Sequence, residues 1–340
     1  MADSLISDNS ELCHIANSRD QSNVHPSRLK VLYIAGWGRS GSTLLDNILG
    51  QLDHSVSVGE FRYVWDRGLQ QNQHCGCGTP FRDCAFWRDV FHKSFGGFNL
   101  APIGKMLTLR EKYDHARTVL LRSRMQSSEI EQYQSELLRL YRAIASISGA
   151  TIIVDSSKTP AHGRILQGCP GLEVYVIHLV RDSRAVAYSW QRKKLSSDGE
   201  YMARFSPARS SLLWDAMNAA AETLKTNNPS RYLRLRYEDL VSAPRATLEP
   251  VLNLMGTGVA QLTFLQGGKV ALRPVHGFSG NPSRFDRGMV DLRPDNEWRN
   301  NLKRSHQLLI TTLTCPLLAR YGYSLFSSRS MRLSPACPRQ

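Results

Sequence analysis

Long apolar runs are missing from this chain. No stretch approaches the roughly 18 consecutive apolar residues that a membrane-crossing helix needs, and the first 28 residues, Met1 to Arg28, hold neither an apolar signal core nor an Arg-rich, acid-poor transit bias. A soluble protein without an integral membrane segment is the expectation, with residues 1–28 as a flexible polar leader. Blocks of five consecutive Lys or Arg are also absent. The basic residues are scattered, often one per motif, which favours discrete anion pockets over a nucleic-acid-binding stripe. An internal repeat is lacking, and so is an even cysteine framework. The seven cysteines, Cys13, Cys75, Cys77, Cys84, Cys169, Cys315 and Cys337, come without a secretory signal, so reduced thiols in a cytoplasm are expected.

What is present suffices for a large core: 340 residues, 41% of them hydrophobic, can close one large α/β domain. The net charge of +14 suits an anionic partner but does not choose among nucleic acid, a charged surface and a phosphorylated small ligand. Short apolar runs alternate with helical periodicity, the layout of a parallel sheet covered by helices on both faces. Strands are predicted at Val31–Ala35, Ser55–Val58, Thr151–Val154, Val174–Val180 and Tyr232–Arg236. Helices are predicted at Ser42–Leu52, Val119–Ile147, Ser183–Lys193, Leu212–Leu224, Pro244–Met255 and Trp298–Tyr321. A polar loop is expected over Arg273–Asp295, and Asp66–Gly104 reads as loops and short helices forming an acceptor or lid region. The fold class is α/β, a three-layer P-loop-like arrangement with a central parallel sheet flanked by helices. The domain spans 29–325, with a basic Ser/Pro tail over 326–340.

The strongest local signal is Gly36-Trp37-Gly38-Arg39-Ser40-Gly41-Ser42-Thr43, between a buried strand and an amphipathic helix. Successive backbone N–H groups and a helix N-terminus there make an anion cradle. Three readings compete. The run matches G-x-G-x-x-G with Glu60 nineteen residues after the last glycine, as in dinucleotide-binding folds, but Arg39 would crowd a turn that must admit a pyrophosphate. It has Walker spacing too, yet Ser42 stands where that motif needs Lys; Asp155 at a strand end is all that keeps a kinase or NTPase reading alive. The third reading takes Arg39-Ser40-Gly41-Ser42-Thr43 as a 5'-phosphosulfate loop.

On that run the chain resembles the sulfotransferases that use 3'-phosphoadenosine 5'-phosphosulfate (PAPS). A second element strengthens the resemblance: Arg181-Asp182-Ser183-Arg184-Ala185-Val186-Ala187-Tyr188-Ser189 leaves a buried strand and enters a helix. The family uses this R-D-x-R-A-x-x-x-S pattern for the 3'-phosphate, which implies Arg181 and Ser189 as its ligands; Arg184 reads as a salt-bridged helix residue. Tyr237, opening Tyr237-Glu238-Asp239, falls where the family keeps a tyrosine near the adenine, while Glu238 and Asp239 start a helix or pair with arginines. In the segment from His276 to Arg287, which resembles the family's mobile C-terminal loop, Arg284 or Arg287 is expected to grip the 3'-phosphate. The arginine at position 39 resembles carbohydrate and tyrosyl-protein enzymes more than the cytosolic members, which carry Lys.

The resemblance implies sulfuryl transfer from PAPS, leaving 3',5'-ADP, with an in-line geometry and charge stabilisation as the protein's main tasks. Arg39, the loop amides and Thr43 meet the leaving charge, and Lys158, at a strand end, reaches the transferring group. Glu60, in a Gly-Glu run matching the one that carries the base in tyrosyl-protein sulfotransferases, is the expected general base; His54, His162 and His276 are weaker rivals. A salt bridge from Glu60 to Arg39 or Arg62 is the structural alternative. The motifs leave the acceptor open among hydroxyls and amines of small molecules, glycans, lipids or peptides. A catalytically silent nucleotide-binding protein would share both phosphate sites. Finally, His74-Cys75-Gly76-Cys77 with Cys84 invites a zinc reading, but the spacing is not that of a standard finger. A reduced structural cluster without metal is expected there.

Overall fold

β1 (Leu29–Gly36) is apolar throughout its middle, and its two faces feed different cores. Val31, Tyr33 and Ala35 pack into one buried cluster, Leu32 and Ile34 into another, as the alternation of side chains along a strand demands. The computed structural model describes residues 28–115, 127–195 and 201–325. The expected leader up to residue 27 and the tail from residue 326 lie outside these, as do residues 119–126 of the expected long helix.

From β1 the chain enters α1 (Ser42–Leu49) and returns as β2 (Ser55–Gly59). A π-helical stretch, Val64–Gln70, follows, then α2 (Ala85–Phe95), α3 (Ile103–Tyr113) and α4 (Ser128–Ser148). Helix α4 begins later than the periodicity suggested. Ser127 is extended and its side chain accepts the Ile130 N–H, a capping bond that fixes the start. Next come β3 (Ile152–Lys158), α5 (Pro160–Gln167), β4 (Leu172–Val180), α6 (Ser183–Gln191) and α7 (Pro207–Glu222). β5 (Tyr232–Arg236), α8 (Tyr237–Ser242) and α9 (Pro244–Met255) continue the alternation.

These five strands form one parallel sheet in the order β2-β3-β1-β4-β5. Leu45, Ile48 and Leu49 of α1 and Leu248, Val251 and Leu252 of α9 cover one face. Leu137, Tyr141 and Ile144 of α4, Ile165 of α5 and Ala221 of α7 cover the other. The three-layer α/β expectation is therefore met. The chain turns from β1 toward β3 on one side and β4 on the other, so the carboxyl end of β1 lies at the point where such sheets open a ligand crevice.

Two expectations fail locally. The stretch before and within the predicted polar loop holds a small antiparallel sheet, β6 (Leu265–Gln266), β7 (Lys269–Leu272) and β8 (Gly288–Asp291). The closing helix is two helices, α10 (Glu297–Asn301) and α11 (Arg304–Arg320), because Leu302 and Lys303 adopt extended backbone between them. No helix among the described residues is long and apolar enough to cross a membrane.

Candidate active site

Each of the five parallel strands hands one candidate residue to the same edge of the sheet. β1 delivers the loop from Trp37 to Gly41, β2 is followed by Glu60, β3 ends on Lys158, β4 is followed by Arg181, and β5 by Tyr237. The loop is held in a shape few sequences accept. Gly41 has φ 91°, and a Cβ there would lie 2.3 Å from the Tyr237 ring. Arg39 and Lys158 are left-handed without being glycine, at φ 69° and φ 70°. Strain of this kind, roughly 1–3 kcal/mol per residue, persists where the surroundings fix a functional geometry.

Arg39 lies beside Trp190, which itself packs on Trp37 and Phe205, with its guanidinium 4.9 Å from the Trp190 ring centre and donating to the Met202 sulfur at 3.2 Å. Burial pushes its pKa down from the ordinary value, and the charge of Glu60 pulls the other way. Ser40 is 1% exposed and its hydroxyl has no partner. Ser42, buried, and Thr43 begin α1, whose first-turn amides face this loop.

Arg181 joins the loop directly. Its Nη1 donates to the Arg39 carbonyl at 3.0 Å, its Nη2 to the Asp295 carboxylate at 2.8 Å, and its guanidinium lies 4.4 Å from the Tyr237 ring centre. Its Nε is buried without a partner. Burial tends to raise the Asp295 carboxyl, but the hydrogen bond and charge of Arg181 outweigh it and hold that carboxyl below its ordinary value. Trp214 fixes the Arg181 backbone by donating its indole N–H to the carbonyl at 3.0 Å. Ser189 lies on α6, nearly buried. Neither Asp295 nor Trp214 had a sequence signal tying it to Arg181; both are more than thirty residues away along the chain.

Glu60 is 9% exposed. Its carboxylate pairs with the Lys158 ammonium and lies 3.8 Å from Arg67 Nη1, while its backbone N–H donates to the Phe278 carbonyl at 3.2 Å. The alternative partners expected for it are not the ones it takes: Arg62 pairs with Asp114 at 2.8 Å instead. Gly280 packs so closely that a Cβ there would be 2.6 Å from Glu60 Oε1. The histidine rivals are placed elsewhere. His54 is exposed at the start of β2, at the opposite end of the sheet. His162 is fully buried between Asp114 and Asp155, and His276 lies among cysteines.

Arg284 donates to the Gly280 and His74 carbonyls at 3.3 and 3.5 Å, and Arg287 to those of Gly76 and Cys77. The structure thus sets both arginines against the cysteine loop, and it is Asp295, further along the same segment, that meets Arg181. Arg184 is buried in a two-point pair with Asp182, as expected. Glu238 and Asp239 open α8, and Asp239 faces Arg236 at 3.9 Å. Asp155 is fully buried, with its oxygens taken by the Tyr141 hydroxyl at 2.5 Å and by Ser157. A metal-binding Walker acid needs an oxygen free at the strand end, so the kinase or NTPase reading loses its remaining support.

Comparison with known proteins gives the family. The sulfotransferase family model matches residues 32–261, more than half of the chain. No curated protein matches. Among solved structures, the sulfotransferase domain of the Synechococcus PCC 7002 olefin synthase is 20% identical, covering 87% of this chain and 97% of its own, with a TM-score of 0.48. The sulfotransferase domain from the curacin biosynthetic pathway is 18% identical, covering 88% and 99%, with a TM-score of 0.49. A retinol dehydratase solved with androsterone and the inactive cofactor PAP is 14% identical, covering 85% and 80%, with a TM-score of 0.35. The extent of the family match decides the matter: this chain belongs to the sulfotransferase family.

Proposed function

We propose that the chain transfers a sulfuryl group from PAPS to an acceptor hydroxyl or amine by in-line displacement, with Glu60 as general base. The observation that carries this reading is the contact between the two anion-binding arginines. The Arg181 guanidinium reaches the Arg39 carbonyl, so one adenosine nucleotide with phosphate groups on its 3' and 5' oxygens can engage both. The residues fit such a ligand. The buried Ser40 hydroxyl and Arg181 Nε have no protein partner, and side chains are excluded at Gly41 by the Tyr237 ring. Buried polar atoms left unpaired in a fold are disfavoured unless a ligand or water completes them.

PAPS, when bound, supplies the activated sulfuryl group. The amides of the loop from Arg39 to Thr43 and the start of α1 would hold its 5' end, and Arg181 and Ser189 its 3'-phosphate. Tyr237, wedged between loop and strand end, sets the spacing of the two sites and borders the base. Lys158 stands beside Glu60 at the end of β3, where a cation stabilises negative charge building during transfer. Glu60 accepts the acceptor's proton; its pairing with Lys158 and Arg67 orients the carboxylate before the acceptor arrives.

Arg39→Ala and Arg181→Ala should each weaken binding of 3',5'-ADP by about 30-fold or more, the loss typical of a truncated buried charge pair. Isothermal calorimetry reads this directly. Undiminished affinity in both variants removes the nucleotide assignment. A labelled-sulfate screen against phenols, sugars, lipids and peptides identifies the acceptor and separates an enzyme from a silent binding protein.

A further inference from the structure

Outside the nucleotide cleft, three thiols and an imidazole converge. Cys75, Cys77, Cys84 and His276 place their donor atoms all within 4.8 Å of one another. Cys77 Sγ is 3.6 Å from Cys84 Sγ, and His276 Nδ1 is 3.6 Å from Cys84 Sγ and 3.7 Å from Cys75 Sγ. A tetrahedral zinc ion with Zn–S of about 2.3 Å and Zn–N of about 2.0–2.1 Å puts its sulfurs roughly 3.8 Å apart and sulfur and nitrogen roughly 3.6 Å apart. These three separations lie close to those edge lengths. A disulfide would instead bring two sulfurs to about 2.05 Å.

The surroundings are built as a metal knuckle is. The Cys75 N–H donates to the Thr79 carbonyl at 2.8 Å and the Gly78 N–H to the Cys75 carbonyl at 2.9 Å, curling the chain so that Cys75 and Cys77 face inward. Gly76 allows this: a Cβ there would lie 2.5 Å from the Val275 carbonyl oxygen. The His276 ring stacks on Phe86 at 4.4 Å, and the Trp87 indole donates to the His276 carbonyl at 3.0 Å. Such support fixes a ligand's orientation and shields the site from water.

We propose that Cys75, Cys77, Cys84 and His276 bind one structural Zn²⁺ ion. Four protein ligands close the coordination sphere, so the ion has no open position for chemistry. Taking it up, the three thiols release their protons to solvent and the filled site carries one net negative charge. Arg287, donating to the Gly76 and Cys77 carbonyls at 3.2 and 2.8 Å, supplies the compensating cation. The donor set selects zinc over calcium, magnesium or manganese, which prefer oxygen. The ion ties the loop after the π-helical stretch to a segment some two hundred residues later. It thereby clamps the strand-like segment from His276 to Gly280 beside Gly59 and Glu60.

Metal analysis of the purified full-length chain tests this without reference to activity. One zinc per chain is expected, released in step with titration of three thiols by an organomercurial. Exchange with Co²⁺ should give sulfur-to-cobalt charge-transfer and tetrahedral d–d bands. His276→Cys, which keeps four zinc ligands, should retain the ion, and His276→Ala and Cys84→Ser should lose it. Removal by a chelator should lower the melting temperature by at least about 5 °C. Substoichiometric zinc with no cobalt–thiolate band, or a mass showing Cys77 and Cys84 oxidised to a disulfide in the freshly purified chain, overturns the proposal. These readings come from the wild-type protein, so they stand even if a variant fails to fold.

Discussion

At the scale of single residues, Glu60 and Lys158 arrive from different strands and meet as an ion pair at a nearly dry edge of the sheet. Lys158 holds a left-handed backbone to get there, and Glu60 is pinned through its own N–H to Phe278. Neutralising a carboxylate without changing its shape separates orientation from proton transfer. Glu60→Gln should lower kcat by about 100-fold or more, the contribution of a positioned base, while leaving 3',5'-ADP affinity within about twofold. A steady-state assay paired with calorimetry checks both numbers. If kcat stays near wild type across pH, another group takes the proton; if nucleotide affinity falls in parallel, Glu60 serves the cofactor instead.

At the scale of elements, the parts that could be read from the sequence are those with a period or a turn chemistry of their own. The buried strands announced themselves as apolar runs and the glycine turn before α1 as an anion cradle, and the family resemblance added Glu60, Lys158, Arg181 and Tyr237, so all five strand-end groups could be named by number. Other parts carried no such local mark. β6, β7 and β8 are two to four residues long and sit among glycines and polar residues, too short for alternation to show. The break between α10 and α11 falls at Leu302 and Lys303, neither a helix breaker. His276 meets Cys75 across 201 positions, a pairing that no spacing rule contains; sequence proximity pointed to His74, which is exposed. That long-range tie has a consequence for catalysis. The segment it anchors supplies the carbonyl that holds the Glu60 N–H and the serine that takes the Arg67 guanidinium at 2.6 Å. Stripping zinc at low temperature should therefore lower turnover about tenfold while 3',5'-ADP binding, which we propose rests on Arg39 and Arg181 from other strands, stays within about twofold. Loss of both together would mean that the ion supports the whole fold rather than this edge.

At the scale of the whole molecule, two buried ionisable groups tilt stability in opposite directions over one pH window. Asp46, on the inner face of α1, accepts from Ser57 Oγ at 2.6 Å, and its other oxygen has no partner. Burial, ahead of the nearby Asp155 charge and against the Ser57 hydrogen bond, raises its pKa from 3.8 to about 7. The folded state then binds this proton more tightly than the unfolded chain. Its stabilisation is complete below 3.8 and is lost as pH rises through about 7, a difference of about 4 kcal/mol at about 1.4 kcal/mol per unit. His178 does the reverse. Held between Tyr232 and Asn218, it is pushed by burial from 6.5 to about 4. Its contribution is complete above 6.5 and is lost as pH falls through about 4, a difference of about 3 kcal/mol. Between these limits the two slopes largely offset each other, so neither shows in the wild-type curve alone. Asp46→Asn keeps the shape and an acceptor for Ser57 but cannot ionise. Its stability relative to wild type, measured by urea unfolding, should rise with pH across the window by up to about 4 kcal/mol and level off above about 7, while the variant's own curve, freed of the Asp46 slope, rises with pH through the His178 range. A variant-minus-wild-type difference that stays constant with pH would mean that Asp46 is ionised in the fold throughout, and that the helix carrying the anion loop tolerates a buried charge behind it.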